Sequence, residues 1–177
     1  MSKIMNELEM AKRFMEELRK NKQEEIQMVK TIKLYTDGAC RGNGELNNLG
    51  AFAYRLEYGK HVKEGSWTKA NTTNNEMELA AVVAGLNAIK TTNIPIEVII
   101  DSAYVYGCAV TWIEAWRAKD YTKKGGLKNR GLIIALDTLV QKQENITFTV
   151  VKGHNGHPGN ERVDVLCNIA MDKFLSV

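Results

Sequence analysis

The chain has 177 residues, 44% of them hydrophobic and 25% charged, enough apolar material for one globular core with a short extension. No apolar run approaches the ~20 residues of a membrane span, and Met1-Ser2-Lys3 leads into charges instead of the apolar core of a secretory signal. The formal charge of +3 tolerates a nucleic-acid partner without demanding one, while three scattered cysteines, Cys40, Cys108 and Cys167, argue against a disulfide framework and fit a reducing, cytoplasmic setting.

Residues 1–30 hold no Gly and no Pro, and their apolar positions Ile4, Leu8, Ala11, Met15 and Leu18 alternate steps of four and three. That spacing predicts a helical extension. Its seam lasts about two heptads, fewer than a coiled coil normally needs. A helix packed on its own domain or fraying is the plain expectation, which leaves the chain monomeric. Self-association through this segment is the alternative, and sedimentation of the full chain against one starting at Thr31 separates the two.

From Thr31 the period changes to two. Ile32, Leu34 and Thr36 alternate with Lys33, Tyr35 and Asp37, which predicts a first strand. A Gly/Asn-rich loop through Gly42-Asn43-Gly44 follows, then a strand over 50–58, a tight turn at Gly59, and a third strand over 61–68. Asn74 to Lys90 returns to helical spacing. Ile96 to Ile100 is a short apolar strand ending at Asp101. Strand, helix, strand predicts a right-handed crossover and parallel pairing. Helices over 103–118 and 129–143, a strand over 146–151 and a helix over 160–175 complete the chain. The predicted fold is α/β: a five-stranded mixed sheet, an antiparallel three-strand meander then parallel strands, flanked by helices. It spans residues 31–177.

Four carboxylates fall at strand ends or helix starts: Asp37, Glu78, Asp101 and Asp164. Taken singly, each has an ordinary reading as a turn former, a solvated helix face or a helix N-terminal charge. Brought together above one sheet edge, they would repel and call for a cation. Oxygen-only ligation selects Mg²⁺ or Mn²⁺, and two such ions form a clamp for phosphodiester cleavage.

The strings Tyr35-Thr36-Asp37-Gly38, Thr72-Thr73-Asn74-Asn75-Glu76-Met77-Glu78-Leu79, Asp101-Ser102-Ala103-Tyr104-Val105 and Lys152-Gly153-His154-Asn155-Gly156-His157-Pro158-Gly159-Asn160-Glu161-Arg162-Val163-Asp164 closely resemble type I ribonuclease H. They occur in the family's order and span residues 31–175. The resemblance implies a ribonuclease H-like fold and an endonuclease that hydrolyses the RNA strand of RNA–DNA hybrids with two Mg²⁺ ions, Mn²⁺ substituting. The products would carry 5′-phosphate and 3′-hydroxyl ends. Asp37, Glu78, Asp101 and Asp164 would bind the metals, and His154 would assist proton transfer and product release. His154 and His157 could suggest zinc, but Gly and Pro break the segment; His157 is expected to be structural.

The resemblance also implies that Asn43, Asn74 and Asn75 contact the hybrid, where amides suit a 2′-hydroxyl or a base edge. Thr73 and Asn129 match a DNA-phosphate pocket. Residues 111–130, with Trp112, Trp116 and the lysines around Gly125-Gly126, look like the family's basic protrusion. Trp112 is expected to be packed and Trp116 to lie nearer the DNA strand. The plain readings are a turn for Asn43, a helix cap for Asn74 and core for the tryptophans. Ala103 departs from the family's usual Gln, and Asn71 from an arginine, for whose charge Lys69 is the candidate replacement. A DNA-directed nuclease or strand-transfer enzyme of the same fold and an inactive nucleic-acid-binding module are the competing functions.

Overall fold

The computed structural model describes residues 9–10, 12–22, 31–153 and 155–176. Residues 9–10 and 12–22 are helical (α1), and all of them are exposed, Phe14 at 62% and Leu18 at 46%. Of the two plain expectations, packing on the domain or fraying, packing is not found for these residues. Its apolar stripe is narrow, flanked by Arg13, Glu16, Glu17 and Arg19, so little is gained by covering it. Ile4, Leu8 and Ala11 lie outside the described residues.

β1 (Ile32–Arg41), β2 (Leu49–Tyr58) and β3 (His61–Ala70) form the antiparallel meander. α2 (Asn74–Ala88) crosses to β4 (Ile96–Ile100). The segment expected as one helix over 103–118 is broken into α3 (Ala103–Tyr106), a π turn (Gly107–Thr111) and α4 (Ile113–Arg117). α5 (Arg130–Gln141), β5 (Ile146–Val150) and α6 (Pro158–Leu175) follow. The sheet order is β3-β2-β1-β4-β5, with β1 antiparallel to β2 and parallel to β4. The mixed five-stranded sheet is as expected from the pattern.

Alternation along the strands divides the core into two layers. Leu34, Leu56, Val98 and Ile100 face α2, α3 and α5, packing with Leu79, Leu86, Val105, Cys108, Ile133 and Leu136. Tyr35, Ala51, Ala53 and Ile99 point the other way, toward Val163, Cys167 and Met171 of α6. β1 lies at the centre of both layers, so residues at its carboxyl end are held from either side.

Candidate active site

The parallel register pairs Leu34 with Val98 and Tyr35 with Ile99. Carried two residues further, it sets Asp37 beside Asp101 at the ends of adjacent strands. Both side chains share the face that α6 covers, and α6 carries Asp164 nearly two turns from its start at Pro158. Glu78 arrives from the opposite layer. Gly38 makes that possible: a Cβ there would stand 2.1 Å from the Glu78 backbone nitrogen. Without a side chain at Gly38, α2 lies directly on β1. Asp37, Glu78 and Asp101 line one small recess with Thr36, Ile100, Ser102 and Val105.

Charge in this recess is crowded. Burial, then the neighbouring Asp101 and, further down, Asp164 and Glu78, push the Asp37 carboxyl up to about 7. Burial and Asp101 also raise Glu78, against hydrogen bonds from Ser102 and Asn74 that lower it. Among the described residues, no three His, Cys, Asp or Glu side chains close into a ready-made cage. Each of the four carboxylates is instead engaged by a neutral donor. The Gly38 N–H donates to Asp37 Oδ1 at 2.8 Å. Asn74 Nδ2 donates to Glu78 Oε1 at 2.7 Å, and the Ser102 hydroxyl donates to Glu78 Oε2. Asn160 Nδ2 donates to Asp101 Oδ2 at 3.0 Å, and Asn168 Nδ2 to Asp164 Oδ1 at 3.2 Å.

The donor set fits a hard divalent cation. Its ligand atoms are all oxygen, its charges repel one another, and no basic side chain pairs with Asp37, Glu78 or Asp101 among the described residues. Buried Asn160 spends its amide N–H on Asp101 and leaves Oδ1 without a protein partner. Ser102, Asn160 and Asn168 were not singled out from the sequence. The i, i+4 spacing of Asp164 and Asn168 was the available signal.

His154 lies outside the described residues. Its neighbour Gly153 lies against Asp101, where a Cβ would meet Oδ2 at 3.0 Å. His157 is structural in its surroundings: it precedes Pro158 at the start of α6 and its ring sits 5.4 Å from that of Tyr35.

Beside the recess runs a groove of about 1150 Å³. Asn43, Thr73, Asn74, Asn75, Trp112, Trp116 and Asn129 all line it, together with Lys123, Lys124 and Lys128. All seven expected contact residues are therefore on one surface. Some details differ from expectation. The cap of α2 is Thr73, whose hydroxyl accepts from the Glu76 N–H, and not Asn74. Asn74 instead spends its amide on Glu78, and Asn43 Oδ1 accepts from the Asn74 N–H at 3.1 Å. Trp112 is 41% exposed, whereas Trp116 is half-buried against the α2-side core, the reverse of the expected division. The π turn accounts for it, since one extra residue rotates Trp112 outward over Gly107. The two rings remain 5.6 Å apart and present a joint edge to the groove. Lys69, the candidate replacement for the arginine missing at Asn71, is half-exposed and paired with Glu76.

Behind the groove, buried Asp137 of α5 receives Arg117 Nε at 2.8 Å and the Tyr121 hydroxyl. This clamp ties the start of the lysine-rich loop to the domain.

The model of the RNase H family matches residues 29–172. A ribonuclease H of Ruthia magnifica subsp. Calyptogena magnifica is 42% identical over 145 residues, 81% of this chain and 97% of the relative. A ribonuclease HI of Neisseria meningitidis serogroup B is 40% identical, covering 83% of this chain and 99% of the relative. Among solved structures, LC9-RNase H1, described as a type 1 RNase H with the type 2 active-site motif, aligns with a TM-score of 0.71 at 25% identity, over 80% of this chain and 72% of that one. RNase H1 from the halophilic archaeon Halobacterium salinarum NRC-1 aligns with a TM-score of 0.56 at 26% identity, over 81% and 98%.

Proposed function

The chain belongs to the ribonuclease H family, and from that footing we propose that it hydrolyses the RNA strand of RNA–DNA hybrids at the recess lined by Asp37, Glu78 and Asp101, with Asp164 of α6 close enough to act on the Asp37 charge. The observation that carries the site is the convergence of these carboxylates, with Asp37 raised to about 7 by burial first and by Asp101 next at the end of the central strand. Two Mg²⁺ ions, or Mn²⁺, would be held there, supplying Lewis acidity to the attacking water and the leaving oxygen. The protein's own part is to orient. Asn74 and Ser102 fix the Glu78 carboxylate, and Asn160 fixes that of Asp101. Asn43, Asn74 and Asn75 offer donors and acceptors at the rim, suited to 2′-hydroxyl groups of the RNA strand. Thr73 and Asn129, with Lys123, Lys124 and Lys128, would receive the DNA backbone, and Trp112 and Trp116 its sugars. His154, which follows Gly153 in the sequence, is read as the residue that assists proton transfer and product release.

Residues 31–177 are read as the catalytic domain, acting as a monomer, and residues 1–30 as a separate extension. Free Cys40, Cys108 and Cys167 support a reducing, cytoplasmic setting. Among the described residues no helix is long and apolar enough to cross a membrane.

Cleavage of a strand-labelled RNA–DNA hybrid with Mg²⁺ tests the proposal, run beside EDTA, an all-DNA duplex and Asp37→Asn. Cutting is expected on the RNA strand alone, abolished by EDTA and lowered at least about a hundredfold by the substitution. Cutting of the DNA duplex, or binding without cutting, would overturn it.

A further inference from the structure

Asp164 differs from the other three carboxylates in what stands behind it. Asn168, one turn further along α6, gives its Nδ2 to the Asp164 carbonyl at 3.1 Å and to Asp164 Oδ1 at 3.2 Å. The other end of that amide is not free. Asn168 Oδ1 accepts from Arg41 Nη2 at 3.2 Å, and Arg41 Nη1 is paired with Asp172 Oδ1 at 2.6 Å. A guanidinium has donors only, so the atom of Asn168 that faces Arg41 must be its oxygen. The nitrogen is then forced toward Asp164. Arg41 closes β1, four residues after Asp37 and on the same face of the strand by alternation. One strand thus carries an acidic residue of the recess and the cation that orients the support of Asp164.

Charge is distributed along this chain in a definite way. Arg41 is neutralised by Asp172 on the far side. Asn168 stands as a neutral spacer between the guanidinium and Asp164. The Asp164 carboxylate therefore receives a fixed hydrogen bond without being neutralised. A direct Arg41–Asp164 pair would hold the carboxylate just as firmly but would compete with a divalent cation.

We propose that Asn168, locked in orientation by Arg41, is the positioning residue for Asp164 and keeps that carboxylate oriented and uncompensated for a divalent cation. The proposal rests on the reading of Asp164 as a metal-binding carboxylate. Outer donors of this kind typically change metal affinity about 10–100-fold when removed.

Calorimetric titration of the full chain with Mg²⁺ alone tests it, using Asp164→Asn, Asn168→Ala, the volume-keeping Asn168→Leu, Arg41→Ala and the Arg41→Ala/Asn168→Ala double variant. Circular dichroism melting checks that each is folded. Asn168→Ala and Asn168→Leu are expected to weaken Mg²⁺ binding about tenfold or more. Arg41→Ala is expected to weaken it less, and the double variant no further than Asn168→Ala, because Arg41 acts through Asn168. Unchanged affinity in both folded Asn168 variants, with Asp164→Asn weakened, would overturn the positioning role alone. Unchanged affinity in Asp164→Asn would overturn it together with the metal reading of Asp164. Additive losses in the double variant would overturn the link through Arg41.

Discussion

At the scale of single residues, Asp37 concentrates the tension of the site. Its carboxyl is raised to about 7 by burial first and by Asp101 next, whereas an unfolded chain releases that proton near pH 4. Between those values the metal-free folded protein binds one proton more than the unfolded chain. Stability must therefore fall as pH rises from about 4 to about 7 and level off above. The melting temperature without divalent ions is expected to drop between pH 5 and pH 8, and Mg²⁺ to raise it more at pH 8. Asp37→Asn should flatten this pH dependence and stabilise the metal-free protein at pH 8 by about 1–3 kcal/mol. A metal-free melting curve independent of pH over this window would contradict the electrostatic account of the recess.

At the scale of elements, the start of α2 joins stability to recognition. Thr73 caps the helix, its hydroxyl accepting from the Glu76 N–H, and the Thr72 hydroxyl donates to Glu76 Oε2 at 2.8 Å. Thr73→Ala is expected to cost about 1 kcal/mol in denaturant unfolding, and Thr73→Ser to restore most of it. Hybrid affinity should fall with the alanine variant, because the same hydroxyl lines the groove. Elements whose period matched their burial were legible from the sequence. β1 alternates because its two faces enter two core layers, and α2 repeats because one face packs on β1. The π turn at Gly107–Thr111 was not legible, since Cys108, Ala109 and Val110 suit an ordinary helix as well. Its effect, turning Trp112 outward and Trp116 inward, depends on Gly107 yielding room to the indole. The four carboxylates were legible through their motifs. Asn160 and Asn168 were not, because asparagine near a helix start is most often a local capping residue and one in mid-helix most often faces solvent.

At the scale of the whole molecule, a net charge of +3 understates the groove. Lys123, Lys124 and Lys128 lie on one rim, carried by a loop anchored through Arg117 and Tyr121 on Asp137. Binding of a hybrid should weaken steeply with salt. Replacing one of these lysines by glutamine is expected to lessen the slope of log K against log salt by about one, measured by fluorescence anisotropy in Ca²⁺. A slope unaffected by all three replacements would remove the loop from the interface.

The two core layers each enclose one thiol. Cys108 lies fully buried in the α2 and α5 layer, and Cys167 fully buried on the inner face of α6, where its Sγ donates to the Asp37 carbonyl at 3.4 Å. Burial raises both thiols, so neither reacts while its layer stays closed. The protein thus carries a natural pair of reporters, one for each side of the sheet. Their alkylation rates time the opening of the α2 side and the α6 side separately, and any ion that steadies the recess will slow the clock under Asp37 more than the one across the sheet.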